Sequence, residues 1–192
     1  MKKELREWFV AIIVAMILII VIRQFLGISY NVKGESMDPT FRNDDRVVVS
    51  KISKELGHIK RGDVIVLHHD KKHDYIKRVI GQAGDKISYK NDILYINDQP
   101  VEENYLEENK KSKMFENLTP DFNIETLEST KAKAVPEGKI FVLGDNRLNS
   151  FDSEEFGFVN EEQIVGKVVL RYYPFREIKT NFEADQLSNI EK

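Results

Sequence analysis

The chain contains no cysteine. That single absence removes a disulfide framework, cysteine-ligated zinc, iron–sulfur ligation and a thiol nucleophile. It also suits a protein that faces an oxidising space, where a free thiol is a liability. Excess positive charge is missing as well: 29 Lys and Arg stand against 32 Asp and Glu, a formal net charge of −3. With no basic face at the level of the whole chain, counterion release offers no driving force, and no nucleic-acid partner is expected. Histidine is scarce, at 4 residues. His68, His69 and His73 cluster at the end of an apparent strand, but no Glu completes a His-Glu-x-x-His spacing and turn residues surround them. They read as a solvated loop, and no metal is expected. A length of 192 residues, 41% of them hydrophobic, allows one modest domain with a real core plus some extras.

Apolar residues are concentrated at the start. Residues 8–22 contain no polar side chain, and the apolar character resumes at Phe25, Leu26 and Ile28 beyond Arg23 and Gln24. As a helix, residues 8–28 would span about 30 Å, the hydrocarbon thickness of a bilayer. Trp8 and Tyr30 sit where interfacial aromatics are found, and Arg23 can snorkel outward. No small-x-small site ends the run, so it reads as an uncleaved anchor rather than a removable leader. Lys2, Lys3 and Arg6 precede it, which puts residues 1–7 in the cytoplasm and the rest of the chain outside a cell membrane crossed once.

Beyond the anchor, residues 29–180 read as a mostly β domain built on antiparallel sheet. Short apolar or alternating runs at 47–49, 64–67, 75–80, 87–89, 93–96, 140–143 and 164–173 are separated by turn signals. These signals are Asn43-Asp44-Asp45, Arg61-Gly62-Asp63, Gly84-Asp85, Asn91-Asp92 and Asn97-Asp98, residue types that tolerate the dihedrals of tight turns. Residues 100–136 are charged with scattered Phe, Leu and Met, and read as an insertion of mixed or irregular structure that carries no chemistry. Residues 181–192 read as a solvated polar tail.

Three polar segments stand out against this background: Gly34-Glu35-Ser36-Met37-Asp38-Pro39-Thr40 just after the anchor, Asp74-Tyr75-Ile76-Lys77-Arg78-Val79-Ile80-Gly81, and Gly144-Asp145-Asn146-Arg147-Leu148-Asn149-Ser150-Phe151-Asp152-Ser153. Taken singly, the first and third are ordinary turns, and Lys77 is a strand lysine pointing to solvent. Together, and in this order, they resemble the boxes of type I signal peptidases, the membrane-anchored Ser-Lys proteases that remove signal peptides from exported proteins. The likeness extends to Arg61-Gly62-Asp63-Val64 and Gly84-Asp85 and so covers most of the chain. The single N-terminal anchor is similar to the Gram-positive form of the family.

The resemblance implies a Ser36 nucleophile and a Lys77 general base. A lysine with an ordinary pKa of about 10.4 is protonated at neutral pH, so Lys77 would have to be buried to serve. By the same resemblance Ser150 orients Lys77, and Asp145, Asn146 and Asp152 hold the loop that carries Ser150. Val32, Met37, Tyr75 and Ile76 are the implied walls of shallow pockets for the small residues before the cut. The substrates are signal peptides of exported preproteins, the partners are the lipid bilayer and the secretion machinery, and no cofactor is needed. Two positions depart from the family pattern. Gly34 stands where some relatives place a Ser that helps hold the oxyanion, and Glu154 stands where the family usually has Arg. Glu154 leaves open the alternative of a catalytically weak or silent homologue that binds export components.

Overall fold

The computed structural model describes residues 6–16, 27–112 and 117–190. Residues 6–16 are helical with exposed side chains, Trp8 and Phe9 among them. The middle of the expected anchor, residues 17–26, lies outside the described residues, as do residues 1–5, 113–116 and 191–192. Among the described residues no helix is long and apolar enough to cross a membrane.

The described residues form eleven strands: β1 Ile28–Asn31, β2 Arg46–Ser50, β3 Val64–His68, β4 Asp74–Gly81, β5 Ile87–Lys90, β6 Ile93–Ile96, β7 Gln99–Val101, β8 Phe122–Asn123, β9 Lys139–Leu143, β10 Val159–Asn160 and β11 Ile164–Tyr173. A 7-stranded sheet has the order β1-β2-β11-β3-β4-β9-β10, and a 4-stranded sheet the order β7-β6-β5-β8. Every pairing is antiparallel. The seven apolar runs in the sequence all became strands, since each supplies side chains for a buried face on at least one side. The short strands β7, β8 and β10 carry too few apolar residues to announce themselves.

Hairpin register is set at the turns. Asn91 and Asp92 join β5 to β6 with φ of 53° and 64°, and Asn97 and Asp98 join β6 to β7 with φ of 53° and 65°. Paired positive φ values of this kind turn a two-residue hairpin with the hand of the strand twist, and Asn and Asp tolerate them. The two sheets share a core in which Ile80, Phe141 and Leu143 of the large sheet meet Ile87, Leu94 and Ile96 of the small one. A second core, with Val32, Met37, Phe41, Val47 and Phe182, lies under the segment that leads from β1 to β2.

Three sequence expectations change. Ile28, read as the last anchor residue, is the first residue of β1 and pairs with Val49; its side chain packs against the second core instead of lipid. Tyr30, read as an interfacial aromatic, belongs to the same strand. Residues 181–190 are no solvated tail: Phe182, Ala184 and Leu187 are buried, and Asp185–Ser188 form a short helix. The apolar residues of that segment are spaced among acids and amides, so composition conceals a packing face that appears only against the core it covers.

Leu187 is fully buried in the core shared by the sheets. Leu187→Ala should therefore lower the unfolding free energy by about 2–4 kcal/mol in a urea titration, where a solvated tail would lose nothing measurable.

Candidate active site

Strand β4 lies between β3 and β9, with Lys77 opposite Ile65 and Arg78 opposite Leu143. Pleating sends these two neighbours to opposite faces. Both faces are covered there, so two adjacent cations are buried: Lys77 is 2% exposed and Arg78 1%. Each needs its own solution to the cost of desolvation.

Arg78 is held by charge. Its Nε donates to Asp145 Oδ1 at 2.9 Å and its Nη2 to Oδ2 at 2.7 Å, a bidentate pair. Its Nη1 donates to the carbonyls of Gly62 at 2.8 Å and Phe182 at 2.7 Å, and the Thr40 hydroxyl donates to Asp145 Oδ2 at 2.6 Å. Burial pulls the Arg78 pKa down, but Asp145 more than offsets it, and the guanidinium stays charged. Removing one partner of such a buried pair costs about 3–5 kcal/mol, because the other is left unpaired. Through these bonds Arg78 joins the three polar segments to the Arg61-Gly62-Asp63 turn and to the C-terminal segment.

Lys77 is held by neutral and indirect partners. Its Nζ donates to Ser150 Oγ at 2.9 Å, and Ser150 Oγ in turn donates to Asp152 Oδ2 at 2.6 Å. The direction is imposed chemically: a carboxylate only accepts, so the hydroxyl proton goes to Asp152 and an oxygen lone pair faces Lys77. Asp152 is itself fixed, accepting from Gly144 N at 2.9 Å and Glu154 N at 3.2 Å, and it caps the short helix Ser153–Phe156 in a capping box with Glu155. Burial brings the Lys77 pKa from 10.5 down to about 8, against the upward pull of Asp152, Glu155 and Asp145. Among the described residues the hydrogen-bond partner of Lys77 Nζ is Ser150, not Ser36.

Ser36 is half-buried in the turn after β1 and shares with Lys77, Tyr75, Asn149 and Phe151 a pocket of about 500 Å³. Asn146 ties that turn to the Ser150 loop: its N–H donates to the Ser36 carbonyl at 3.0 Å and its side-chain amide to the Glu35 carbonyl at 3.1 Å. The contact leaves no room at Gly144, where a Cβ would run into Ser150 Oγ and the Ser36 carbonyl. Gly34, at φ 86°, gives its N–H to Asn43 Oδ1 at 3.0 Å.

A groove of about 1130 Å³ leads away from Ser36. Val32, Tyr75 and Ile76 line it together with Val66. Met37 is placed differently from the expectation: at 1% exposure it packs with Phe41 in the core beneath the turn and forms no part of the groove lining. A side chain one residue after Ser36 points inward because the turn is pinned to the protein by it. His68, His69 and His73 also line this groove, where His68 pairs with Asp74 at 2.5 Å and His73 with Asp70 at 2.7 Å. His69 stacks on Tyr75 with ring centroids 4.5 Å apart.

The segment 100–136 also differs from expectation. Glu103 accepts from Arg147 Nη2 at 2.6 Å, from Tyr89 at 2.5 Å and from Tyr105 at 2.5 Å, and Thr119 takes a further bond from Arg147 at 3.1 Å. Arg147 also donates to the Tyr89 hydroxyl and to the Gly144 carbonyl at 3.0 Å. A buried network rooted in the small sheet thus holds the loop that carries Ser150. Arg78 and Thr40 were visible as members of the polar segments. So was Arg147, but its partners Glu103 and Tyr105 had no local signal, since isolated residues in a polar stretch look solvated until their partners are known. Glu154 cannot pair with the fellow acid Asp152, whose oxygens accept from the Ser150 hydroxyl and from the Gly144 and Glu154 N–H groups; burial, with Asp152 and Glu155 nearby, pushes the Glu154 pKa from 4.5 up to about 7.

Asp152→Asn keeps a good helix cap and removes a charge that holds the Lys77 proton on. The Lys77 pKa should fall below about 8 in the variant, read by NMR titration of the lysine side chains.

The family described as signal peptidase, peptidase S26, matches residues 5–173. Signal peptidase IB of Staphylococcus aureus is 45% identical over 191 residues, covering 98% of this chain and 100% of the relative. Signal peptidase I of Bacillus caldolyticus is 49% identical over 175 residues, covering 91% and 93%. The crystal structure of a signal peptidase I from Enterococcus faecalis superposes with a TM-score of 0.54 at 42% identity, covering 57% of this chain and 95% of that one. The match runs through all three polar segments and both sheets, and the chain belongs to the signal peptidase family, peptidase S26.

Proposed function

We propose that the chain removes N-terminal signal peptides from exported preproteins, cutting after small-x-small sites through an acyl-enzyme on Ser36 with Lys77 as general base. The observation that carries this reading is a lysine amine buried in mid-sheet, brought down to about 8 and oriented by Ser150, in the same pocket as Ser36. A base with a pKa near the working pH balances the fraction in the right protonation state against the strength of proton abstraction.

The neutral Lys77 amine takes the Ser36 hydroxyl proton as Oγ attacks the scissile carbonyl carbon. The oxyanion that forms is met by the Ser36 backbone N–H. Collapse of the tetrahedral intermediate breaks the peptide bond; the amine of the mature protein leaves with the proton from Lys77. A water then gives a proton to Lys77 and attacks the ester; as the second tetrahedral intermediate collapses, that proton passes from Lys77 to the departing Ser36 Oγ, which releases the signal peptide and restores both residues. Ser150 holds Lys77 in place, and Asp152, Asp145 and Asn146 hold the loop. Because the base is a side chain and the nucleophile a hydroxyl, each step closes without metal or cofactor.

Val32, Tyr75 and Ile76 give the groove next to Ser36 apolar walls, which suit two small residues before the cut. The apolar run that starts at Trp8 anchors the domain and ends short of β1, residues 1–7 stay in the cytoplasm under the positive-inside rule, and the catalytic domain faces outward. Anchoring raises the effective concentration of the domain at a cleavage site that is itself held at the bilayer, where the secretion machinery delivers it.

Mass-spectrometric mapping of a preprotein incubated with the detergent-solubilised chain should give a single cut after a small-x-small site. Ser36→Ala, Lys77→Ala and Lys77→Arg should each abolish it; near-normal turnover in either lysine variant overturns the dyad. Since the protonated amine cannot accept a proton, kcat/KM should fall about tenfold per pH unit below about 8 and level off above it. A profile flat between pH 6 and 9 would point to a different base.

A further inference from the structure

The loop carrying Ser36 and the loop carrying Ser150 come from distant parts of the sequence, and their relative placement decides whether Lys77 and Ser36 can meet. Asn146 joins them at one point. Thr40 joins them at another, through Asp145, and a further junction is made from outside both loops. The side-chain amide of Asn109 donates through Nδ2 to the carbonyl of Asp38 at 2.9 Å and to the carbonyl of Asp145 at 2.8 Å. Asp38 stands two residues after Ser36, and Asp145 immediately precedes Asn146.

We propose that Asn109 is a positioning residue that clamps the nucleophile loop to the Ser150 loop. The inference rests on the Ser36–Lys77 reading of the site. Both amide protons of one nitrogen are used, so the side chain spans the two carbonyls as a fixed bridge. Its own position is secured. The helix Glu107–Ser112 is too short to be stable alone, but the residues leading into it are anchored in the protein. Leu106 is fully buried, the Tyr105 ring lies under the Arg78 guanidinium at 4.1 Å, and Glu103 binds Arg147. Glu107, Glu108 and Lys111 on the same helix are exposed, whereas Asn109 is half-buried against the loops. The segment 100–136 thereby contributes directly to active-site geometry. A displacement of the nucleophile by about 1 Å is enough to cost up to about a hundredfold in rate, and such a loss falls on the chemical step, not on substrate binding.

Asn109→Leu keeps the shape without the donors, and Asn109→Asp places a carboxylate opposite two carbonyl oxygens. Each is compared with the full-length wild type by preprotein cleavage kinetics, by hydrogen exchange at the Asn146 amide and by Tm. The clamp predicts kcat reduced about tenfold in Leu and further in Asp, KM changed less than about twofold, and Asn146 exchange accelerated about tenfold, with Tm held within a few degrees. Unchanged kcat and unchanged Asn146 exchange in both variants overturn it. So does a loss of rate that merely follows Tm and returns when the assay is cooled. Exchange is read without substrate: if the wild type cuts nothing while the variants exchange faster, the clamp stands and the peptidase reading falls. If the wild type cuts and the variants match it in rate and exchange, the clamp falls and the reading stands.

Discussion

The bidentate contact between Arg78 and Asp145 is the interaction on which the site geometry depends, because each of its members fixes a different part of the chain. Arg78 belongs to the middle of β4 and cannot move without disturbing the large sheet. Asp145 belongs to the loop that carries Ser150, and Thr40, from the turn after Ser36, donates to the same carboxylate. With neither charge exposed, the alternative to this pairing is an unpaired ion in the interior. The pair therefore acts as a register pin: the lysine one residue before Arg78, the serine five residues after Asp145 and the serine four residues before Thr40 are set by the same point of attachment.

Lys77 shows how adjacent buried cations acquire opposite properties. Arg78 faces a carboxylate directly and remains charged; Lys77 faces a hydroxyl, with the carboxylate of Asp152 one bond further away. Interposing Ser150 weakens the Coulomb attraction enough for burial to win, which brings the amine to about 8 instead of holding it near 10.5. The capping role of Asp152 belongs to the same design, since a carboxylate that already serves Gly144 and Glu154 is held in place and less available to draw nearer to Lys77.

The small sheet and the C-terminal segment are the scaffold for this arrangement. Arg147 takes its partners from β5 and from residues 103–119, Arg78 takes one from Phe182, and Asn109 touches both site loops. Loops that must hold side chains to fractions of an ångström gain precision from rigid neighbours. Here those neighbours lie far away in sequence.

Much was legible without a structure. The seven long strands could be read because apolar periodicity reports a buried face directly, and the paired Asn and Asp turns because positive φ restricts residue choice. Ser36, Lys77 and the Ser150 loop stood out because they sit in three segments whose residues and order together resemble one family. Tertiary structure alone decided that Ile28 enters a sheet, that Phe182, Ala184 and Leu187 are core, that Met37 faces inward, and that Glu103, Asn109 and Arg147 support the site. A buried polar network has no periodicity and no local composition; it exists only as pairings between residues tens of positions apart. What the sequence determined was therefore the chemistry available and the strands to carry it. The environment that brings a lysine to about 8 came from burial, which is a property of the folded neighbourhood and not of any segment.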